Sequence, residues 1–119
     1  MNRNKKAGTA WESAIVAFLR TNGAPHCERR ASNGAFDRGD ITGIPGVVIE
    51  AKSGAFHMAA WDAEVRAEMT NDAASIGVVW AKRAGKTSPA DGYLIMPPVV
   101  GLRLLTAAGY LGQPDNGGQ

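Results

Sequence analysis

One stretch constrains this chain's fold more than any other: Gly39-Asp-Ile-Thr-Gly-Ile-Pro-Gly-Val-Val-Ile-Glu-Ala-Lys52. Gly43-Ile-Pro-Gly46 is strong turn chemistry. Asp40-Ile-Thr42 and Val47–Lys52 are therefore expected to be the two arms of an antiparallel hairpin. Side chains alternate along a strand, so Glu50 and Lys52 share one face while Ile49 and Ala51 take the other. With the turn near Pro45, Asp40 falls across from Glu50 on the same face. Carboxylates held this close repel each other unless a cation neutralises them. Hard oxygen ligands that leave room for water and phosphate favour Mg²⁺, with Mn²⁺ as a substitute. The Ala51 carbonyl is a further candidate ligand. Lys52 would stand beside the cation, orienting a water and countering charge that develops on phosphate oxygens.

Other readings of these residues stay open. Asp37 rivals Asp40 as a ligand, although it would serve equally to cap a turn or pair with Arg38. Glu50 and Lys52 would also suit an exposed pair on a half-solvated strand. Val47, Val48 and Ile49 weigh against that, because they mark a strand where charge is expensive.

The rest of the chain supplies a frame. At 119 residues the expectation is one domain, residues 1–119, with a basic arm (1–7) and a Gly-rich tail (112–119) that are flexible. A helix is expected from Gly8–Thr9 to about Asn22, with Gly23 as its stop and Trp11, Ile15, Phe18 and Leu19 as its buried stripe. His26–Arg30 reads as a short strand and Ala31–Gly39 as a loop. A second helix is expected over Phe56–Ala74, its face formed by Met58, Trp61, Val65 and Met69. Ile76–Ala81 reads as a buried strand, Lys82–Pro89 as a basic loop, Tyr93–Met96 as a last strand, and Pro98 opens a final helix. The order α-β-β-β-α-β-β-α predicts an α/β fold with a mixed sheet between helices. Glu12 falls on the apolar arc of the first helix, where an unpaired carboxylate would be costly. It would face the same cation, reach solvent, or pair with Lys52.

Composition narrows the function. A single cysteine, Cys27, excludes an internal disulfide framework and leaves a four-ligand zinc site short of donors. The apolar run Ala14–Leu19 is too short to span a bilayer and does not read as a signal peptide, so a soluble, cytoplasmic protein with no membrane partner is expected. Net charge is only +2, but residues 1–52 hold eight basic and five acidic side chains, and the remainder five and six. Basic surface around a few acids suits a metal-dependent enzyme acting on nucleic acid. Lys5, Lys6, Arg29, Arg30 and Arg38 flank the acids and are candidate DNA phosphate contacts. Lys82, Arg83 and Lys86 form a second basic loop suited to a duplex arm or simply to solvent.

The arrangement Glu12…Asp40-x9-Glu50-x-Lys52 resembles the PD-(D/E)xK nuclease superfamily. Within it, the chain is most similar to the small archaeal-type Holliday junction resolvases, which also occur in phages and bacteria. The likeness runs from about residue 6 to 96. It includes Gly8-Thr-Ala-Trp-Glu12, Arg29-Arg-Ala-Ser-Asn-Gly-Ala35, Gly39-Asp-Ile41, Glu50-Ala-Lys-Ser53, the helix of Trp61 and Val78-Val-Trp-Ala-Lys82. The resemblance implies a restriction-endonuclease-like core and a homodimer that needs Mg²⁺ and cuts four-way DNA junctions symmetrically. It maps Glu12, Asp40, Glu50 and Lys52 onto the catalytic positions and places Ser32 in a loop that engages the junction. Gly39 stands where the family often has proline. A related nuclease acting on another DNA structure, or a DNA-binding module without catalysis, are the alternatives.

Overall fold

The computed structural model describes residues 3–30 and 39–113. Among them the order is α1 (Arg3–Thr21), β1 (Glu28–Arg29), β2 (Ile41–Thr42), β3 (Val47–Lys52), α2 (Met58–Asn71), β4 (Ile76–Ala81), a 3-10 turn (Pro89–Asp91), β5 (Tyr93–Ile95) and α3 (Pro98–Ala107). The chain is thus α/β, with helices around one mixed five-stranded sheet in the order β1-β2-β3-β4-β5. The β3–β4 pair is parallel and the other three are antiparallel. A parallel pair needs a crossover, and α2 provides it.

Local chemistry accounts for most boundaries. Helix α1 begins at Arg3 rather than Gly8, because Arg3–Ala7 contains no helix breaker and is rich in Lys, Arg and Ala. It ends where Gly23 takes φ +111° and the Ala24 N–H returns to the Leu19 carbonyl at 2.9 Å. Helix α2 is shorter than its sequence suggested, starting at Met58 and ending with Ala73 in the left-handed region at φ 51°. The turn pairs Ile41 with Ile49, the register the hairpin required.

The sheet separates two apolar clusters. On one side Trp11, Ile15 and Val16 of α1 pack on Ile41, Ile49 and Val78. On the other, Trp61 and Val65 of α2 pack on Val48, Val79 and Ala81. Trp11 also donates its indole N–H to the Trp80 carbonyl at 3.0 Å, tying α1 to β4. Alternation along β3 follows: Ile49 and its even-spaced neighbours meet α1, whereas Val48, Glu50 and Lys52 face α2. Met58 leaves the expected stripe of α2 and is 48 % exposed, while Glu68 occupies a core position. No helix among the described residues is long and apolar enough to cross a membrane.

Candidate metal centre

The centre is built where β3 runs under α2. Glu50 is 2 % exposed and Glu68 1 % exposed, the only buried charged residues among those described. Carboxylate oxygens of Glu50, Glu64 and Glu68 lie within 4.8 Å of one another. Asp40 adds a fourth acid. Its backbone N–H donates to the Ile49 carbonyl at 2.9 Å, and its Oδ2 accepts the Ala51 N–H at 2.9 Å. These two bonds clamp Asp40 against β3, beside Glu50. Burial pushes the Glu50 carboxyl far above the usual carboxylate range, and contacts with Asp40 and Glu68 push it further. Its Oε2 is buried without a hydrogen-bond partner. A buried carboxylate oxygen facing other carboxylates is an unfavourable arrangement until a proton or a cation enters.

Lys52 lies two residues on, on the same strand face. Its Nζ is 2.8 Å from Glu64 Oε1. Burial works against its charge, but the hydrogen bond to Glu64 and the carboxylates of Glu50, Glu64 and Asp40 outweigh it and hold the ammonium above its ordinary range. The site therefore keeps a fixed positive charge next to a cation-seeking acidic group.

Gly39 sits where only glycine fits. It has φ +96°, which proline cannot adopt, and a Cβ there would lie 2.9 Å from Val48 Cγ1 and 3.1 Å from the Ile49 carbonyl oxygen. The chain passes this close to β3 to deliver Asp40.

The structure brings together Asp40, Glu50, Lys52 and the Ala51 backbone. It places Glu12 elsewhere: α1 covers the opposite sheet face, and Glu12 Oε1 accepts from Arg29 Nε at 3.0 Å. Arg30, just after β1, reaches Asp72, just after α2, at 3.9 Å. Lys6 and Lys86 are exposed, Lys82 is half-buried, and Arg83 lies over the Tyr93 ring at 5.9 Å. Lys5 is within α1, whereas Ser32, Arg38 and the rival ligand Asp37 lie outside the described residues. Glu64 and Glu68 were not anticipated. Their signal was present: Trp61, Val65 and Glu68 share one helical stripe, so an acid interrupts an apolar face.

A cleft of about 690 Å³ opens at the carboxyl ends of β3 and β4, bordered by Lys52, Lys82, Trp11 and Trp61. Comparison of the chain with family models, with curated proteins and with solved structures finds no match.

Proposed function

We propose that this chain is a metal-dependent DNA endonuclease with a restriction-endonuclease-like core, and that it resolves four-way junctions as a homodimer by nicking opposed strands. One observation carries the hydrolase reading: the buried Glu50 carboxylate, an oxygen without a partner, set among Asp40, Glu64 and Glu68 and flanked by Lys52. All the donors are carboxylate oxygens, the chemistry that Mg²⁺ and Mn²⁺ prefer. The junction as substrate rests on the sequence resemblance.

In this reading Glu50, Glu68 and Glu64, with Asp40 beside Glu50, are the residues that would hold the cation. The bound cation would supply Lewis acidity toward a phosphate oxygen and a more acidic water. Lys52 donates to the nucleophilic water or to a non-bridging oxygen, where charge grows as the phosphodiester is attacked. The Ala51 N–H fixes the Asp40 carboxylate in place. Glu12 is a positioning residue that aims Arg29 at backbone phosphate. Lys6, Arg29, Arg83 and Lys86 contribute sequence-independent affinity that falls steeply with salt.

A second copy is proposed to dock on α3. Leu102 and Leu105 are 54 % and 45 % exposed, with Val99, Leu104 and Tyr110 beside them. Arg103 is the one charged residue of α3, and it is engaged with the Ser75 carbonyl at 2.7 Å. Such an uncharged apolar face meets its own copy without like-charge repulsion.

The test is incubation with a synthetic four-way junction, with and without Mg²⁺, beside flap, fork and linear duplex controls. Symmetric Mg²⁺-dependent nicks are expected near the branch. Equal cutting of linear duplex rejects the junction assignment. Junction binding with no cleavage in Mg²⁺ or Mn²⁺ rejects the hydrolase.

A further inference from the structure

We propose that the cleft at the carboxyl ends of β3 and β4 binds one unpaired nucleotide of a DNA strand, with its phosphate toward Lys52 and Lys82. This rests on the endonuclease reading and names the part of the substrate that sits beside the centre.

Size comes first. The cleft holds about 690 Å³, within the range of roughly 300–1,000 Å³ typical of sites for single small ligands. A base-paired duplex does not enter such a space, whereas one flipped or terminal nucleotide does.

Charge comes next. The ionisable groups bordering the cleft are Lys52, His57 and Lys82, and no carboxylate lines it among the described residues. Lys82 has no ion-pair partner among the described residues. Its N–H bonds to the Lys52 carbonyl at 2.9 Å, so the two lysines leave adjacent strand ends together. They lie on opposite faces of the sheet by strand alternation, and the cleft wraps the strand ends to reach both. A phosphate between them meets Lys82 and competes with Glu64, 2.8 Å from Lys52, for the second cation.

The remaining wall is mostly apolar, with Ser53 and Thr87 as its polar side chains. The edges of the largely buried Trp11 and Trp61 form part of it, and Ala10 of α1 lines it. An anionic group joined to a flat apolar one fits this division, and that is a nucleotide. Lys52 links the cleft to the acids, so the nucleotide held there would adjoin the phosphate presented to the cation. Branch points and strand ends both offer such a nucleotide.

The test is anisotropy with a labelled single-stranded hexanucleotide in EDTA, with a blunt duplex and dTMP as competitors. EDTA separates the cleft from the metal centre. Ala10→Leu, a helix-compatible change that fills the cleft, and Lys82→Ala are each expected to weaken single-strand binding about tenfold and duplex binding less than about twofold. Arg66→Ala, a charge removed from elsewhere on the surface, should change neither. Thermal melts check folding, and should Ala10→Leu not fold, loss in Lys82→Ala with recovery in Lys82→Arg carries the result. Equal losses for single strand and duplex, or no loss, overturn the proposal. So does dTMP binding as tightly as the hexanucleotide, which would mark a pocket for free nucleotides. Single-strand binding that obeys these expectations in a protein that never cleaves leaves the cleft standing and removes the endonuclease reading.

Discussion

Replacing Glu50 by Gln should make the metal-free protein more stable at neutral pH. Folding raises the pKa of this carboxyl, through burial first and then Asp40 and Glu68. The folded chain therefore binds the proton more tightly than the unfolded one. Stability from this group is complete below the unfolded pKa, about 4.3, and is lost progressively as pH climbs toward the folded value. That window covers the whole neutral range. The slope is at most about 1.4 kcal/mol per pH unit, so between about pH 5 and pH 8 the loss reaches up to about 4 kcal/mol. Lys52 offsets part of it, since its ammonium faces the same acids while also engaged with Glu64. A net effect of about 2 kcal/mol is expected, or roughly 10 °C in Tm for a chain of this length. Gln keeps the shape, carries no charge and donates its amide to Asp40 or Glu68. Urea unfolding in EDTA, followed by tryptophan fluorescence at stepped pH, should show wild type weakening as pH rises and Glu50→Gln with a flatter profile. Mg²⁺ at about a hundredfold over its Kd should then add about 2.7 kcal/mol to wild type and little to the variant. A variant that keeps the wild-type slope, or is the less stable at pH 8 in EDTA, refutes the idea that burial beside Asp40 and Glu68 raises the Glu50 pKa on folding.

Three further outcomes follow from local geometry. Gly39→Ala should cost about 2–4 kcal/mol in chemical denaturation, because it combines a left-handed φ with a Cβ at 2.9 Å from Val48; a near-neutral result would mean that neither the φ nor the close approach constrains this position. Ala73→Gly should raise Tm by about 4–8 °C, by relieving roughly 1 kcal/mol of left-handed strain at the end of α2; no gain would mean that the strain is not there. The pair Leu102→Glu and Leu105→Glu should halve the mass measured by light scattering with little change in Tm, since both side chains are largely exposed within one chain; a wild type that is already monomeric denies α3 its second copy.

Much of the β2–β3 hairpin was legible because two kinds of information coincide there. Gly43 and Gly46 both adopt positive φ, and the alternation of Val48, Glu50 and Lys52 sets which side chains share a face once the turn is fixed. The pairing of Asp40 with Glu50 follows from that register alone. The position of Glu12 did not follow. Helical periodicity places it beside the apolar arc of α1 but says nothing of which sheet face α1 covers, and β1, through Arg29, supplied a partner that spacing could not reveal. Glu64 and Glu68 were missed for a related reason. Within α2, Glu68 follows Trp61 and Val65 on one stripe, but only the crossover packing shows that this stripe lies on β3 beside Glu50.

That crossover has a consequence for how the centre is built. Glu50 and Lys52 must point away from α1, because Ile49 already fills the α1 side of β3. Any helical acid that meets them has to come from the element connecting β3 to β4, since a parallel pair places its crossover helix over one face of the sheet. Helix α2 thus contributes Trp61 and Val65 as packing, and at the next position of the same stripe contributes Glu68 as charge. Packing forces alone would favour an apolar residue at that position, since a buried carboxylate needs compensating partners. An acid in the core, opposite the buried Glu50 and near Lys52, is the arrangement on which the proposed metal centre rests.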